Sequence, residues 1–326
     1  MTTLQPPPIG GYFEFELSQG EGEYHPCALR YQSARAAFLA LLRAGRPDAI
    51  WLPWYLCDSM VEAVTMAGIL VRRYQLDKQL RVLDANLGAR DWLLYVNYFG
   101  VCAANVSATL ARFDPAKVII DNSQAFYDKP HDCLASIYSP RKFFGVPDGG
   151  YLITQLAVPA PEKIDKGSLK RCQHLLQRLE HGPEPGYSSF VKAESSLSGQ
   201  EPRRMSTLTQ TLLGRIPYLE IREKRRANFC QLHAHLAASN QFPLSLQGRE
   251  VPLCYPYLAP EPYAARTLYS QRIYLPCYWP EVVSPVFESG LAKSVLFLPC
   301  DQRMTSTLTD RLLSVLAQEC KPGTQP

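Results

Sequence analysis

Apolar residues occur along the first half of the chain in two alternating patterns. Short apolar runs rich in β-branched and aromatic residues are typical of buried strands, and they predict strands at 49–52, 69–76, 92–99, 117–120, 135–138 and 150–154. The segments between them have helical apolar spacing with Ser, Asp or Gly at their ends, and they predict helices at 33–44, 58–67 and 106–113. This alternation predicts a mostly parallel, doubly wound sheet with helices on both faces.

The pattern changes after residue 154. Pro, Gly and Ser are frequent at 159–161 and 182–189, and an amphipathic basic helix is predicted between them at 168–179. We interpret this stretch as a covering excursion between domains. A long helix is predicted over 208–238, with a kink or restart at Pro217 because proline lacks the backbone N–H. The basic run at 222–226 within it is interpreted as a solvated face.

Short strands and helices alternate again beyond residue 251, which predicts a compact α+β unit. The predicted strands are 272–275 and 294–298, and the predicted helices are 263–271 and 306–318. The fold class is therefore α/β, in three parts. An N-terminal arm (1–25), with an extended piece at 12–17, precedes a large sheet domain (26–204) and a small C-terminal α+β domain (205–326).

Composition narrows the function classes. The 326 residues include 34 Lys and Arg against 30 Asp and Glu, and this net charge of +4 is too small to indicate nucleic acid or a membrane surface as a partner. No apolar run approaches the roughly 18–20 residues that span a bilayer. The first residues lack the basic start and apolar core of a signal peptide, so we expect a cytoplasmic protein.

Cysteine and histidine do not form metal motifs. The ten cysteines are scattered with no C-x-x-C pair, and we interpret them as reduced, buried side chains. His233 and His235 are two residues apart, so on a helix they face different ways. No metal site is expected.

A lysine follows the predicted strand 135–138 within the segment SPRKFFGVPDGG (139–150). Lys142 has apolar and aromatic neighbours, and burial lowers the pKa of a lysine because it disfavours the charged form. The free amine can then attack an aldehyde and form a Schiff base. Ser139, three residues earlier, is a candidate ligand for a phosphate. The alternative interpretation is a surface lysine in a glycine turn.

A carboxylate directly follows the apolar strand 117–120. Asp121 needs a partner there because an unpaired buried charge is costly, and the N–H of a pyridinium ring is one such partner. Gln124, three residues on, can donate an amide hydrogen bond to the phenolate oxygen of that ring. The alternative is that Asp121 only caps the following turn.

These residues together resemble a known family. Asp121-x-x-Gln124, then Lys142, then Asp148-Gly149-Gly150 are similar to the central motif of the DegT/StrS-type sugar aminotransferases, which are pyridoxal-phosphate enzymes of fold type I. The match covers most of 28–318, with weaker outer segments at 33–38, 96–100, 204–206, 222–226 and 298–300.

The resemblance implies a role for each motif residue. Lys142 would be the Schiff-base lysine and the base that moves a proton between substrate and cofactor. Asp121 would hold the ring nitrogen protonated, and Gln124 would contact the phenolate oxygen. Ser139 and the turn Ala34–Arg35 would hold the phosphate of pyridoxal 5'-phosphate.

Three departures from the family pattern stand out. The phosphate turn has Ala34–Arg35 where the family usually has Gly-Thr, although Arg35 can still bind phosphate by charge-assisted hydrogen bonds. Pro202 stands where the family has an asparagine that reaches the cofactor of the neighbouring subunit. Ser139 precedes the lysine by three residues rather than five. These changes indicate a divergent branch.

The leading interpretation is a pyridoxal-phosphate aminotransferase. The resemblance implies glutamate as amino donor, a nucleotide-linked keto sugar as acceptor, a role in cell-surface polysaccharide synthesis, and a homodimer with the site at the subunit interface. Two alternatives remain. One is a sugar dehydratase on the same fold, against which Lys142 argues because those relatives often have histidine there. The other is a non-catalytic binding or regulatory protein that keeps the scaffold.

Overall fold

The computed structural model describes residues 9, 11–243, 246–260 and 265–319. The strands are β1 (Leu29–Tyr31), β2 (Ala49–Pro53), β3 (Leu70–Tyr74), β4 (Trp92–Val96), β5 (Val118–Asp121), β6 (Ala135–Tyr138), β7 (Gly150–Thr154), β8 (Cys254–Leu258) and β9 (Val295–Pro299). The helices are α1 (Ala34–Gly45), α2 (Asp58–Ala67), α3 (Ala103–Arg112), α4 (Ser168–Arg171), α5 (Gln173–His181), α6 (Pro183–Ser195), α7 (Thr207–Leu213), α8 (Tyr218–Leu236), α9 (Ala265–Ser270), α10 (Val286–Ser294) and α11 (Ser306–Glu319).

Seven strands form one twisted sheet in the order β1-β7-β6-β5-β4-β2-β3. The five strands β3, β2, β4, β5 and β6 are parallel, whereas β7 is antiparallel to both β6 and β1. Helix α1 packs on this sheet and on α2. The predicted α/β architecture with a mostly parallel sheet is confirmed, and the antiparallel β7 makes the sheet mixed.

The first helix shows how local sequence sets these boundaries. Ser33 is extended and its side chain accepts a hydrogen bond from Ala36 N at 3.1 Å, which caps α1. Arg46 closes the helix in the left-handed conformation with φ 47°. Asp58, which the pattern marks as a cap, is instead the first residue of α2, and Cys57 precedes it without a side-chain cap.

The second half differs more from the pattern. The Pro-, Gly- and Ser-rich stretch at 182–189 contains the start of α6, because Gly182 turns the chain with φ 89° and Pro183 occupies the first helical turn, where proline is tolerated. No strand forms at 272–275, where Arg272 and Tyr274 bind Glu184 instead of a neighbouring strand. The piece at 12–17 is exposed and forms no strand.

The C-terminal region is built on the antiparallel pair β8–β9, of which β8 had no predicted counterpart. Helices α8 and α11 pack against each other, and α8 also packs on β8. Part of the helix predicted at 263–271 lies outside the described residues. No helix in the described part of the chain is long and apolar enough to cross a membrane.

None of the cysteines among the described residues forms a disulfide, and only some of them are buried. Cys102, Cys254 and Cys300 are buried, whereas Cys27, Cys230 and Cys277 are exposed, so the expectation of buried thiols is wrong for the latter three. No group of three or more potential ligands that could hold a metal ion occurs among the residues described.

Candidate active site

The ends of two neighbouring parallel strands bring the central motif together. Asp121 at the end of β5 pairs in register with Ile137 of β6, and Asn122 N donates to Ile137 O at 2.8 Å. Ser139 therefore lies only two residues beyond Ile137, the residue of β6 that is paired with Asp121. The turn of 3-10 helix at Pro140–Lys142 follows at once. Asp121, Ser139 and the lysine turn thus share the carboxyl edge of the sheet, where α/β proteins bind ligands.

The carboxylate of Asp121 is buried with one oxygen engaged. Only Oδ1 accepts a hydrogen bond within the described chain, from Ser123 N at 2.9 Å. This contact is the turn cap that the alternative interpretation proposed. It leaves Oδ2 available for a second donor, so the two interpretations of Asp121 are compatible.

Gln124 is also buried, and only one of the two polar atoms of its amide has a hydrogen-bond partner among the described residues. Its Oε1 accepts from Phe99 N at 2.9 Å, whereas no acceptor contacts its Nε2 among the described residues. Phe99 itself has φ 57°, an uncommon conformation for a residue with a side chain, in the 3-10 turn after β4. A buried amide N–H without a partner is costly. Its presence here indicates a place for an acceptor.

The start of α1 lies against the two glycines of the motif. Gly149 N donates to Gln32 O at 2.8 Å, and Ser33 forms a bridge with Gly149. A Cβ at Gly150 would overlap the backbone of Ser33 and Ala34. A Cβ at Gly149, whose φ is 125°, would come within 2.8 Å of Pro140. Only glycine permits this approach, which places the start of α1 close to Pro140 and thus to the lysine turn.

Asp148, the acidic residue before these glycines, is fully buried and structural. It accepts hydrogen bonds from Ser206 N at 3.2 Å and from Ser206 Oγ at 2.7 Å. Burial raises the pKa of Asp148, and the Ser206 hydrogen bonds act in the opposite direction. Because Ser206 also caps α7, Asp148 ties the glycine turn to the start of that helix.

Lys142 is exposed in the single chain, and its side chain has no hydrogen bond or ion pair with a described residue. The expected burial of this lysine is therefore wrong for one chain alone. Its backbone N–H donates weakly to Ser139 O at 3.4 Å. The buried aromatic residues that follow it, Phe143 and Phe144, fix the turn and leave the amine free.

Two arginines lie near this turn. Arg35 Nη1 lies 2.7 Å from Glu62 Oε2, so its guanidinium already has a carboxylate partner. Arg141 pairs with Glu194, and its Nε has no partner. Burial, reinforced by nearby Arg171, lowers the pKa of Arg141 to about 10. The lowered pKa of Arg141 still lies well above neutral pH, so this guanidinium is charged at the edge of the site.

The pattern misjudged the basic run on α8. Arg225 is 2% exposed and its guanidinium stacks on Phe143, 4.5 Å from the ring centroid. The interpretation of 222–226 as a solvated face is thus wrong at this position. A signal was present, since Arg225 is spaced by four from both Ile221 and Phe229, which puts all three on one helix face.

Solved structures share this arrangement of strands and helices. The sugar aminotransferase CalS13 from Micromonospora echinospora superposes with TM-score 0.61 at 13% identity, over 89% of this chain and 87% of that one. A DegT DnrJ EryC1 StrS aminotransferase from Brucella abortus gives 0.58 at 16% identity, over 90% and 86%. NtdA from Bacillus subtilis, solved with its bound cofactor PMP, gives 0.60 at 18% identity, over 89% and 72%.

The chain has the fold of these aminotransferases. The fold-type I architecture expected from the motif is therefore confirmed, and the resemblance on which it depended is matched by the structural neighbours. No protein-family model matches the sequence, and no curated protein matches it. The structural likeness therefore extends well beyond recognisable sequence similarity.

Proposed function

We propose that this protein is a pyridoxal-phosphate-dependent aminotransferase acting on a nucleotide-linked keto sugar. The observation that supports this most directly is the buried pair Asp121 and Gln124, each with an unused polar atom, at the end of the strand beside the one that leads to Lys142. A pyridine ring offers a protonated nitrogen to the carboxylate and a phenolate oxygen to the amide. The residues present therefore fit the cofactor.

Pyridoxal phosphate, when bound, supplies an electron-poor ring that stabilises negative charge on the substrate carbon. Asp121 would hold the ring nitrogen through Oδ2, and Gln124 would donate from Nε2 to the ring oxygen. Both side chains are already fixed through their other atoms, so little rotamer entropy is lost on binding. This preorganisation favours one orientation of the ring.

The phosphate would be held at the other end of the site. Ser139 Oγ and the backbone N–H of Arg35 in the first turn of α1 are donors suited to an anion, whereas the N–H of Ala34 is taken up by the bridge between Ser33 and Gly149. Arg35 is paired with Glu62 and Arg141 with Glu194, so these carboxylates offset the positive charge of both groups. The direct phosphate contact of Arg35 that the sequence suggested would require its pair with Glu62 to open.

Lys142 would attach the cofactor and then move a proton between the substrate carbon and the cofactor carbon. Its amine has no partner among the described residues, and its turn lies at the edge that carries Asp121 and Ser139. The overall exchange transfers an amino group and hydrogen from glutamate to the keto sugar. It leaves 2-oxoglutarate and an amino sugar, without a net oxidant. Neighbours such as CalS13, a sugar aminotransferase, support the sugar substrate.

We further propose a homodimer in which a second subunit covers the site. Helices α4 to α6 leave large apolar side chains exposed in the single chain, namely Leu169, Leu176, Leu179, Tyr187, Phe190 and Val191. Contiguous exposed apolar surface of this kind marks protein contacts. Exposure of Lys142 in one chain agrees with a site that needs a second subunit to exclude water.

Light scattering on a sizing column tests the dimer. Leu179→Glu should shift the protein to the monomer because a charge would be buried at the contact. Leu219→Glu, on an exposed leucine of α8, serves as control and should leave a dimer. A monomeric parent protein would contradict the proposal. The domain boundary at residues 204–205, the cytoplasmic location and the polysaccharide role stay predictions.

The activity itself is tested by amino transfer. The protein, reconstituted with pyridoxal phosphate, is incubated with glutamate and a panel of keto-sugar nucleotides, and 2-oxoglutarate and amino sugar are quantified. Both products should appear with the parent protein and be lost in Lys142→Ala. Lys129→Ala, a nearby lysine outside the site, should retain activity. Absence of both products across a broad donor and acceptor panel would favour the non-catalytic scaffold.

A further inference from the structure

Arg225 is a buried cation without a carboxylate partner among the described residues. Its guanidinium contacts backbone oxygens instead: Nη1 donates to Pro252 O and to Leu253 O, both at 3.2 Å, and Nη2 donates to Phe143 O at 3.3 Å. Burying a charged group on neutral acceptors alone is expensive. Such a group stabilises the fold less than an apolar side chain of similar shape would, which indicates a role in holding specific carbonyls.

The contact from Arg225 Nη2 to Phe143 O reaches the lysine turn. Phe143 directly follows Lys142, and its carbonyl accepts from Arg225 and also from Gln302 Nε2 at 2.9 Å. The Phe143 ring lies under the guanidinium. Two side chains from the C-terminal region thus hold the residue that determines where the Lys142 backbone points.

The second contact leads to Gln124 by a short hydrogen-bonded path. Leu253, whose carbonyl binds Arg225, donates its N–H to Phe99 O at 2.8 Å. Phe99 N in turn donates to Gln124 Oε1 at 2.9 Å. Loss of the Arg225 contact would therefore release the segment at Leu253, which holds the Phe99 turn against the Gln124 amide.

We propose that Arg225 is a positioning residue that sets Lys142 and Gln124 at a fixed separation across the site. One guanidinium joins both paths, so it couples the lysine turn to the amide that faces the ring. The inference rests on the proposed function for the roles of Lys142 and Gln124. The coupling itself is a property of the chain without cofactor.

Amide hydrogen exchange on the cofactor-free protein tests the coupling. The N–H groups of Phe143 and Phe144 donate to Pro140 O at 3.0 and 2.9 Å and report on the lysine turn, while Leu253 N–H reports on the other path. Arg225→Met should accelerate exchange at all three amides by roughly tenfold relative to amides of β2. Lys224→Met, the neighbouring exposed cation, is the matched control and should change none of them.

Gln302→Leu separates the two paths. It removes the other donor to Phe143 O from a half-buried side chain, so it should accelerate exchange at Phe143 and Phe144 but not at Leu253. If Arg225→Met does not fold, Arg225→Lys takes its place and is compared with the single variant Gln302→Leu in the same way. Unchanged exchange at the turn in folded variants, or a uniform increase that includes β2, would overturn the proposal.

Cofactor binding provides the second measurement. The dissociation constant for pyridoxal phosphate should rise roughly tenfold or more in Arg225→Met, with no change in Lys224→Met. Parental affinity in Arg225→Met would overturn the positioning role. Failure of the parent protein to bind cofactor would instead refute the proposed function, and the exchange experiment would still decide whether Arg225 couples the two paths.

Discussion

His25 makes the stability of this fold depend on pH in a window that follows from its surroundings. The imidazole is 5% exposed, its Nε2 lies 2.8 Å from Phe126 O, and its ring centroid lies 4.0 Å from that of Tyr138. Burial lowers the pKa of His25 from 6.5 to about 4, so the folded ring is neutral at physiological pH. The neutral ring donates from Nε2 to the carbonyl.

The sign follows from proton binding. Below pH 6.5 the unfolded chain protonates His25, whereas the folded chain does not until about pH 4. The unfolded state therefore binds more protons, and stability falls as the pH drops through this window. At 1.36 kcal/mol per pH unit, the interval corresponds to a loss of about 3 kcal/mol.

Urea denaturation at several pH values between 7.5 and 4 measures this loss. His25→Gln keeps a side-chain donor but does not titrate, so its free energy of unfolding should fall less steeply with acid than that of the parent. The carboxylates titrate in both proteins, so the difference between the two slopes gives the contribution of His25 alone. His235→Gln, an exposed histidine on α8, should follow the parent. Parallel curves for parent and His25→Gln would refute the assignment of a buried neutral ring.

Two further predictions concern the site. Asp121→Asn should leave the fold intact but slow the half-reaction with the amino donor by ~10²-fold or more, measured by stopped-flow absorbance, because the ring nitrogen loses its charged partner; parental rates would leave Asp121 only as a turn cap. Gly150→Ala should cost about 1–3 kcal/mol in urea denaturation and weaken cofactor binding, because its Cβ overlaps the start of α1. Gly145→Ala, whose Cβ would make only an ordinary contact at 3.6 Å, should change neither, and equal effects at both glycines would contradict the close approach.

Local patterns predicted most of the first half of the fold because most elements there have both an apolar run and a clear boundary residue, whereas the three-residue strand β1 was not predicted. Strand β6 and helix α2 begin and end where the pattern places them. The orientation of β7 was not predictable in this way, since parallel and antiparallel neighbours can share the same apolar run. Strand β8 was missed because Pro256 interrupts its pattern, although it pairs with β9 along its whole length.

The candidate site was predictable only in part. Motif spacing predicts Asp121, Gln124 and Lys142 as site residues, and strand register explains why Asp121 lies beside the turn that carries Lys142. It could not show that Lys142 is exposed in a single chain, because that depends on what packs above the turn. It also could not show that Arg225 is buried, since its basic neighbours on α8 hide the apolar face that it shares with Phe229.

Reductive trapping of the cofactor tests the central claim most directly. The protein reconstituted with pyridoxal phosphate is treated with borohydride, digested and analysed by mass spectrometry. We expect one reduced pyridoxyl adduct, on Lys142, and its loss in Lys142→Ala. An adduct on any other lysine, or none at saturating cofactor, would contradict the account of this site.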